Sequence, residues 1–90
     1  MGDASTIYIG NKPIMNYVLA AVRQFNGENK GITIQARGRS ISKAVDVALI
    51  TKERFVPSNI QEIKINTELL MDENGKPLKV SCIKISMAKA

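Results

Sequence analysis

The spacing of apolar residues predicts a first helix between Pro13 and Asn26. Apolar side chains recur there at the three- and four-residue intervals of one helical face, at Ile14, Tyr17, Val18, Ala21, Val22 and Phe25. Pro13 suits the first helical position, because its missing N–H group would have no partner there. Asn26-Gly27 is typical of a helix end.

A second helical pattern begins after Ser40, whose hydroxyl group predicts an N-cap. The pattern continues to about Phe55 and ends at Pro57-Ser58-Asn59. Its apolar residues predict a buried face made of Ile41, Ala44, Val45, Ala48 and Leu49.

Four other segments have the composition or the alternation of β-strands. Thr6–Ile9 is β-branched and aromatic, and Gly10 ends it. In Gly31–Arg37 every second residue is apolar, which predicts a strand buried on one side. Two more strands are predicted over 60–70 and 79–88, joined by a tight turn at Asn74-Gly75. Because the residues around that turn are polar, we expect this hairpin to project from the body.

The predicted element order is β-α-β-α-β-β across a single domain, residues 1–90. Two helices can cover one face of a four-stranded sheet, which gives an α/β two-layer sandwich. We therefore expect a mixed sheet with both helices on one face and a projecting β-hairpin.

Composition favours a binding protein over an enzyme. The chain has 13 Lys and Arg against 8 Asp and Glu, so its formal net charge is +5, and a basic balance favours polyanionic partners. It has no histidine and a single cysteine, Cys82, which we expect to be buried and functionally silent. A metal site, a cofactor site and acid–base catalysis are therefore not expected.

Neither a membrane span nor a signal peptide is predicted. No apolar run approaches the ~18 residues that a spanning helix needs. The first ten residues also lack a charged segment followed by a long apolar one. We therefore expect a cytoplasmic protein without a membrane partner.

Cations are concentrated where the first two strands lead into helices. Lys12 follows the first strand, while Arg37, Arg39 and Lys43 surround the junction of the second strand and helix. If these strands are parallel, both junctions lie at one edge of the sheet, and free N–H groups at helix N-termini there favour phosphate. The alternative is that each cation is simply a solvated loop residue.

Three further features bear on function. Lys76 and Lys79 lie on the predicted hairpin, where they could follow a duplex groove. The few aromatic residues give no platform for stacking unpaired bases, which favours a duplex partner.

Phe55 ends the second helical pattern; a core position is the default for phenylalanine, and a self-association contact is the alternative.

With these residues identified, the sequence resembles the Alba family of archaeal chromatin proteins. The first loop and helix carry the resemblance in IGNKPIMNYVLAAV, the second strand and helix in IQARGRSISKAVDVALITKERFVP, and the hairpin in DENGKPLKVSCIKISMAK. The resemblance implies dimers that bind double-stranded DNA with little sequence preference and coat or compact the chromosome. RNA is the implied alternative partner.

The resemblance also implies roles for particular residues. Lys12, Arg37 and Arg39 would be the main phosphate contacts. The complete set expected to bind nucleic acid is Asn11, Lys12, Asn16, Arg37, Arg39, Lys43, Lys76 and Lys79. Arg54 and Phe55 would connect neighbouring dimers along DNA.

One position departs from the family pattern, in which the first loop commonly has two adjacent lysines. Asn11 occupies the first of these places, so acetylation there is impossible and each protomer has one cation fewer. We therefore expect weaker DNA binding than in strongly basic members. Two other functions stay open at this point, an RNA chaperone or accessory subunit of an RNA-processing ribonucleoprotein, and a protein-interaction adaptor.

Overall fold

Six elements follow one another along the chain. They are β1 (Thr6–Tyr8), α1 (Ile14–Asn26), β2 (Gly31–Arg37), α2 (Ile41–Ile50), β3 (Ser58–Met71) and β4 (Pro77–Lys89). This computed structural model describes residues 5–27 and 29–90. The expectation about a signal peptide rests partly on residues 1–4 and to that extent lies outside the described residues.

The four strands form one sheet in the order β1-β2-β4-β3. β1 runs parallel to β2, whereas β4 runs antiparallel to both of its neighbours. Alternate residues of β2 and β4 point into a core that the two helices complete. The predicted α/β two-layer sandwich with a mixed sheet is therefore confirmed.

The core lies between the helices and the central strands β2 and β4. Its largest fully buried side chains include Phe25 and Val18 from α1, and Ile34 and Ile85, which pair with each other across the neighbouring strands β2 and β4. Cys82 is also buried, as predicted. Burial of these side chains supplies most of the driving force that holds helices on the sheet.

The buried face of α2 was predicted wrongly in part. Val45 and Leu49 are each 38% exposed, whereas Val47 is fully buried. The buried stripe runs instead through Ala44, Val47, Ala48 and Thr51, which also has the i, i+3, i+4, i+7 spacing of one helical face. Two apolar stripes overlap in this helix, so spacing alone could not select the one that packs.

The helix ends also differ from the predictions. Pro13 is the N-cap of α1, with φ −58° and ψ 150°, and not its first helical residue. Ser40 occupies the N-cap position of α2, as predicted, but its side chain makes no capping bond, and a 3₁₀ turn over Gly38–Ser40 leads directly into the helix. Within the described ranges, no helix is long and apolar enough to span a membrane.

Helix α2 continues into a π-helical turn over Thr51–Phe55. The N–H group of Val56 closes this turn by donating to the Thr51 carbonyl at 2.8 Å. The helical pattern thus reaches Phe55 as predicted, although its last turn is wider than an α-helical one. Single π-helical turns of this kind are frequent at functional sites.

The β3–β4 hairpin extends past the rest of the sheet. β2 ends where Arg37 pairs with Cys82, whereas β3 and β4 continue to pair as far as Met71 and Pro77. Gly75 has a φ of +78° in the connecting turn, as the Asn-Gly signal predicts. The radius of gyration, 13.8 Å, exceeds the ~12 Å of a compact chain of this length, which reflects the projecting arm.

Candidate nucleic-acid interface

The loops after β1 and β2 leave the sheet at the same edge. The two strands are parallel, Tyr8 pairs with Gln35, and the Ile9 N–H group donates to the Gln35 carbonyl at 2.9 Å. Lys12 lies in the first of these loops, and Arg37 and Arg39 flank Gly38 at the second. The parallel arrangement expected from sequence is therefore present, with exposed cations on both loops.

Gly38 permits the sharp turn between the two arginines. Its φ is +52°, which lies in the left-handed region that glycine enters without steric cost. The chain can thus pass from the last pair of β2 directly into α2. This geometry keeps Arg37 and Arg39 close to the edge and in solvent.

The first loop is held by hydrogen bonds to two side chains from different helices. The Tyr17 hydroxyl accepts from the N–H groups of Gly10 and Lys12 at 2.9 and 3.0 Å. The Lys43 ammonium donates to the carbonyl groups of the same two residues at 3.0 and 2.9 Å. Apolar periodicity placed Tyr17 correctly in the core but gave no signal for the role of its hydroxyl.

Arg37 is engaged by a carboxylate. Its Nε lies 2.9 Å from Oε1 of Glu68, with the two side chains 54% and 30% exposed. Because β4 lies between β2 and β3 in the sheet, this ion pair reaches across one strand to join the body to the base of the arm. Charge counting along the sequence did not indicate this partner.

A shallow groove follows the outer side of α1. Lys12, Asn16 and Arg23 line it together with parts of the helix surface. Asn11 and Asn16 are both exposed beside Lys12. Arg23 was not among the residues expected to bind nucleic acid, although it lies at a helical spacing from Asn16 that would have indicated it.

The other predicted residues lie on the arm and at the end of α2. Lys76 and Lys79 are exposed on the arm, and the Lys76 N–H group donates to Asp72 Oδ1 at 2.8 Å within the turn. Arg54 and Phe55 lie in the π-helical turn. Phe55 is 45% exposed, so the default expectation of a core position is wrong.

The described residues form no candidate metal site. No group of three or more Cys, Asp and Glu side chains within 5–27 and 29–90 could hold a metal ion. The arrangement can present cations and backbone amides to an anionic partner.

Comparison with known proteins places the chain in a family. The Alba family model matches residues 5–69, more than half of the 90 residues. This chain belongs to the Alba family. Two archaeal relatives named DNA/RNA-binding protein Alba are each 49% identical over 90 residues, covering 99% of this chain. They come from Methanocella arvoryzae and Thermoplasma acidophilum, and the match covers 94% and 100% of their respective lengths.

Solved structures agree with this assignment. Alba from Thermoplasma volcanium superposes with a TM-score of 0.88 at 49% identity, covering 93% of this chain and 99% of that one. ALBA1 from Trypanosoma brucei gives a TM-score of 0.82 at 18% identity, covering 100% of this chain and 73% of that one. The second likeness concerns the fold alone, and the first extends the Alba family assignment to the three-dimensional structure.

Proposed function

We propose that this protein is a non-enzymatic, homodimeric double-stranded DNA-binding protein that coats or compacts the chromosome in the cytoplasm. The observation that carries the proposal is the edge at which two parallel strands end and exposed Lys12, Arg37 and Arg39 are presented. Relatives that share about half of its sequence are named DNA/RNA-binding proteins, which supports a nucleic-acid partner.

Phosphate contacts explain the residue types at this edge. Lysine and arginine neutralise phosphates without reading base sequence, and such contacts release counterions from the duplex. In the dimer, Asn11 and Asn16 would add uncharged hydrogen bonds beside Lys12. Lys76 and Lys79 would extend the contact along the arm, giving binding with little sequence preference.

The exposed apolar side chains of β3 are the candidate surface for self-association. β3 is an edge strand, and its Ile63 and Ile65 side chains are 56% and 78% exposed. They are on the helix side of the sheet, because they pair with the buried residues Ile85 and Ile83. Exposed apolar side chains on an edge strand favour covering by another chain, and we assign this surface to the second protomer.

A second copy is the expected partner for this surface, because exposed apolar side chains of α2 add to those of β3. Val45 and Leu49 of α2 are exposed as well, so both layers of the sandwich offer apolar groups to a second copy. Ile65→Lys should convert the dimer to a folded monomer, measured by analytical ultracentrifugation and circular dichroism. A monomeric wild-type protein at micromolar concentration would contradict the homodimer.

Duplex binding across salt concentrations tests the proposed function directly. If each dimer contacts about six phosphates, log affinity should fall with log salt at a slope near −5. Arg37→Ala combined with Arg39→Ala should weaken binding to every duplex by a similar factor. A flat salt response would remove the electrostatic basis of the proposal, and loss on one sequence alone would indicate base readout.

RNA is the second candidate partner, because the same relatives carry RNA in their names. The same cations would contact the phosphates of either polymer. In this alternative the protein would act as an RNA chaperone or as an accessory subunit of an RNA-processing ribonucleoprotein. Crosslinking in cells followed by sequencing of the bound nucleic acid distinguishes the two, since predominantly RNA sequences would favour the alternative.

A further inference from the structure

Two side chains bind all four polar backbone groups of Gly10 and Lys12. The Tyr17 hydroxyl accepts from both N–H groups, and the Lys43 ammonium donates to both carbonyl groups, all within 3.0 Å. Lys43 is 31 and 33 residues away in sequence from the residues whose carbonyls it binds. Its Nζ also lies 6.0 Å from the centre of the Tyr17 ring, so the two side chains are adjacent.

We propose that Lys43 and Tyr17 are positioning residues that order the Gly10–Lys12 loop for phosphate binding, and that Lys43 is not itself a phosphate ligand. This inference rests on the proposed function, since it requires Lys12 to contact phosphate. It assigns Lys43 a role different from the one its charge predicts.

The hydrogen bonds of Lys43 support the positioning role. An ammonium group has three N–H donors, and Lys43 uses two of them on carbonyl oxygens of the loop. A direct phosphate contact that displaced these bonds would leave both carbonyls without their partner and release the loop. The exposed Lys12 side chain has no such commitment among the described residues, so it is free to meet phosphate.

Ordering the loop before binding lowers the cost of binding. A flexible loop loses backbone entropy when it is fixed against a ligand, whereas a loop already fixed by the fold does not. The bonds from Lys43 also tie the loop after β1 to the first turn of α2. These two segments border the sheet edge where Lys12, Arg37 and Arg39 are presented. Tyr17 and Lys43 together form a clamp on this loop. Loss of the clamp should therefore weaken duplex binding without removing a phosphate contact.

A double-mutant cycle on a mixed-sequence duplex tests the assignment. Lys43→Met should weaken binding about tenfold and leave the salt slope at the wild-type value. Lys12→Gln should reduce the slope by about 1.8 for a dimer, which is about 0.9 for each lost contact. In the Lys12→Gln background, Lys43→Met should cost less than about twofold, because the residue it positions is gone.

Controls separate positioning from charge and from simple stability. Lys89→Met removes the same charge at the end of β4 that lies away from the Gly10–Lys12 loop, where the Lys89 N–H group donates to the Lys30 carbonyl. It should change affinity by less than about twofold. Tyr17→Phe keeps the ring and removes the other half of the clamp, so it should reproduce the Lys43→Met effect. In both clamp variants, hydrogen exchange at the Gly10 and Lys12 amides should become faster while core amides stay protected.

The outcomes separate this inference from the proposed function. If wild-type protein shows no salt-dependent duplex binding, the proposed function fails. If wild type binds with a steep slope but Lys43→Met lowers that slope and adds fully to Lys12→Gln, Lys43 is a direct ligand and the positioning role is overturned. Unchanged affinity in both Lys43→Met and Tyr17→Phe would overturn it as well.

Discussion

If Arg37 contacts phosphate as proposed, substituting Glu68 should tighten DNA binding, because this carboxylate would compete with phosphate for Arg37. The two side chains form an ion pair at 2.9 Å in the free protein. When the Arg37 guanidinium turns to a phosphate, it gives up part of that pair, and the remaining carboxylate faces a second anion. Glu68→Gln removes both costs and leaves the side-chain shape nearly unchanged.

The exposure of the pair sets the size of the effect. Side chains that are 54% and 30% exposed are largely screened by water, so the pair is worth about 0.5 kcal/mol in each protomer. Two copies in a dimer give about 1 kcal/mol, which corresponds to about fivefold tighter binding. The salt slope should stay constant, since the number of phosphate contacts does not change.

Fluorescence anisotropy with a labelled duplex at several salt concentrations would measure the change. Glu62→Gln is the matched control, because it removes the same charge from the same strand, where Glu62 lies 3.7 Å from Lys64. Equal tightening in both variants would mean that only net charge matters. Weaker binding by Glu68→Gln would refute the reasoning and show that Glu68 orients Arg37 for its partner.

Three other substitutions test separate parts of the structure. Asn11→Lys adds one cation per protomer and should steepen the salt slope by about 1.8 for a dimer; an unchanged slope would place that loop outside the interface. Phe55→Ala should leave dimers and thermal stability intact but reduce cooperative coating of long DNA, whereas fully buried Phe25→Ala should cost about 3–5 kcal/mol in chemical denaturation. Gly38→Ala should destabilise by about 1–2 kcal/mol because of its φ of +52°, while Gly27→Ala, at φ −82°, should cost less.

Much of the fold could be predicted because its signals are local. Strict alternation gave the bounds of β2, and Asn74-Gly75 gave the turn of the arm. The face of α2 was harder to predict, since Val45 and Val47 both belong to apolar stripes at helical spacing. Only the position of α1 and the sheet decides which stripe is buried, and that depends on contacts distant in sequence.

The candidate site shows the same limit more clearly. Charge and strand order predicted that Lys12, Arg37 and Arg39 follow parallel strands at one edge. They could not indicate that Glu68, from a strand two positions away in the sheet, would engage Arg37. Nor could they separate Lys43, bonded to loop carbonyls, from lysines that face solvent, because pairing across 31 or more residues leaves no trace in local spacing.

In the proposed function, the clamp formed by Tyr17 and Lys43 and the uncharged Asn11 have a joint consequence for how this loop would bind phosphate. Lys12 is the only lysine between Gly10 and Pro13, so the loop contributes one cation where two adjacent lysines would contribute two. With fewer charges, affinity depends more on how little entropy the loop loses on binding. Tyr17 and Lys43 reduce that loss by fixing the backbone on either side of Asn11. Preorganisation can thus offset a missing charge, without adding to the salt dependence that a second lysine would bring.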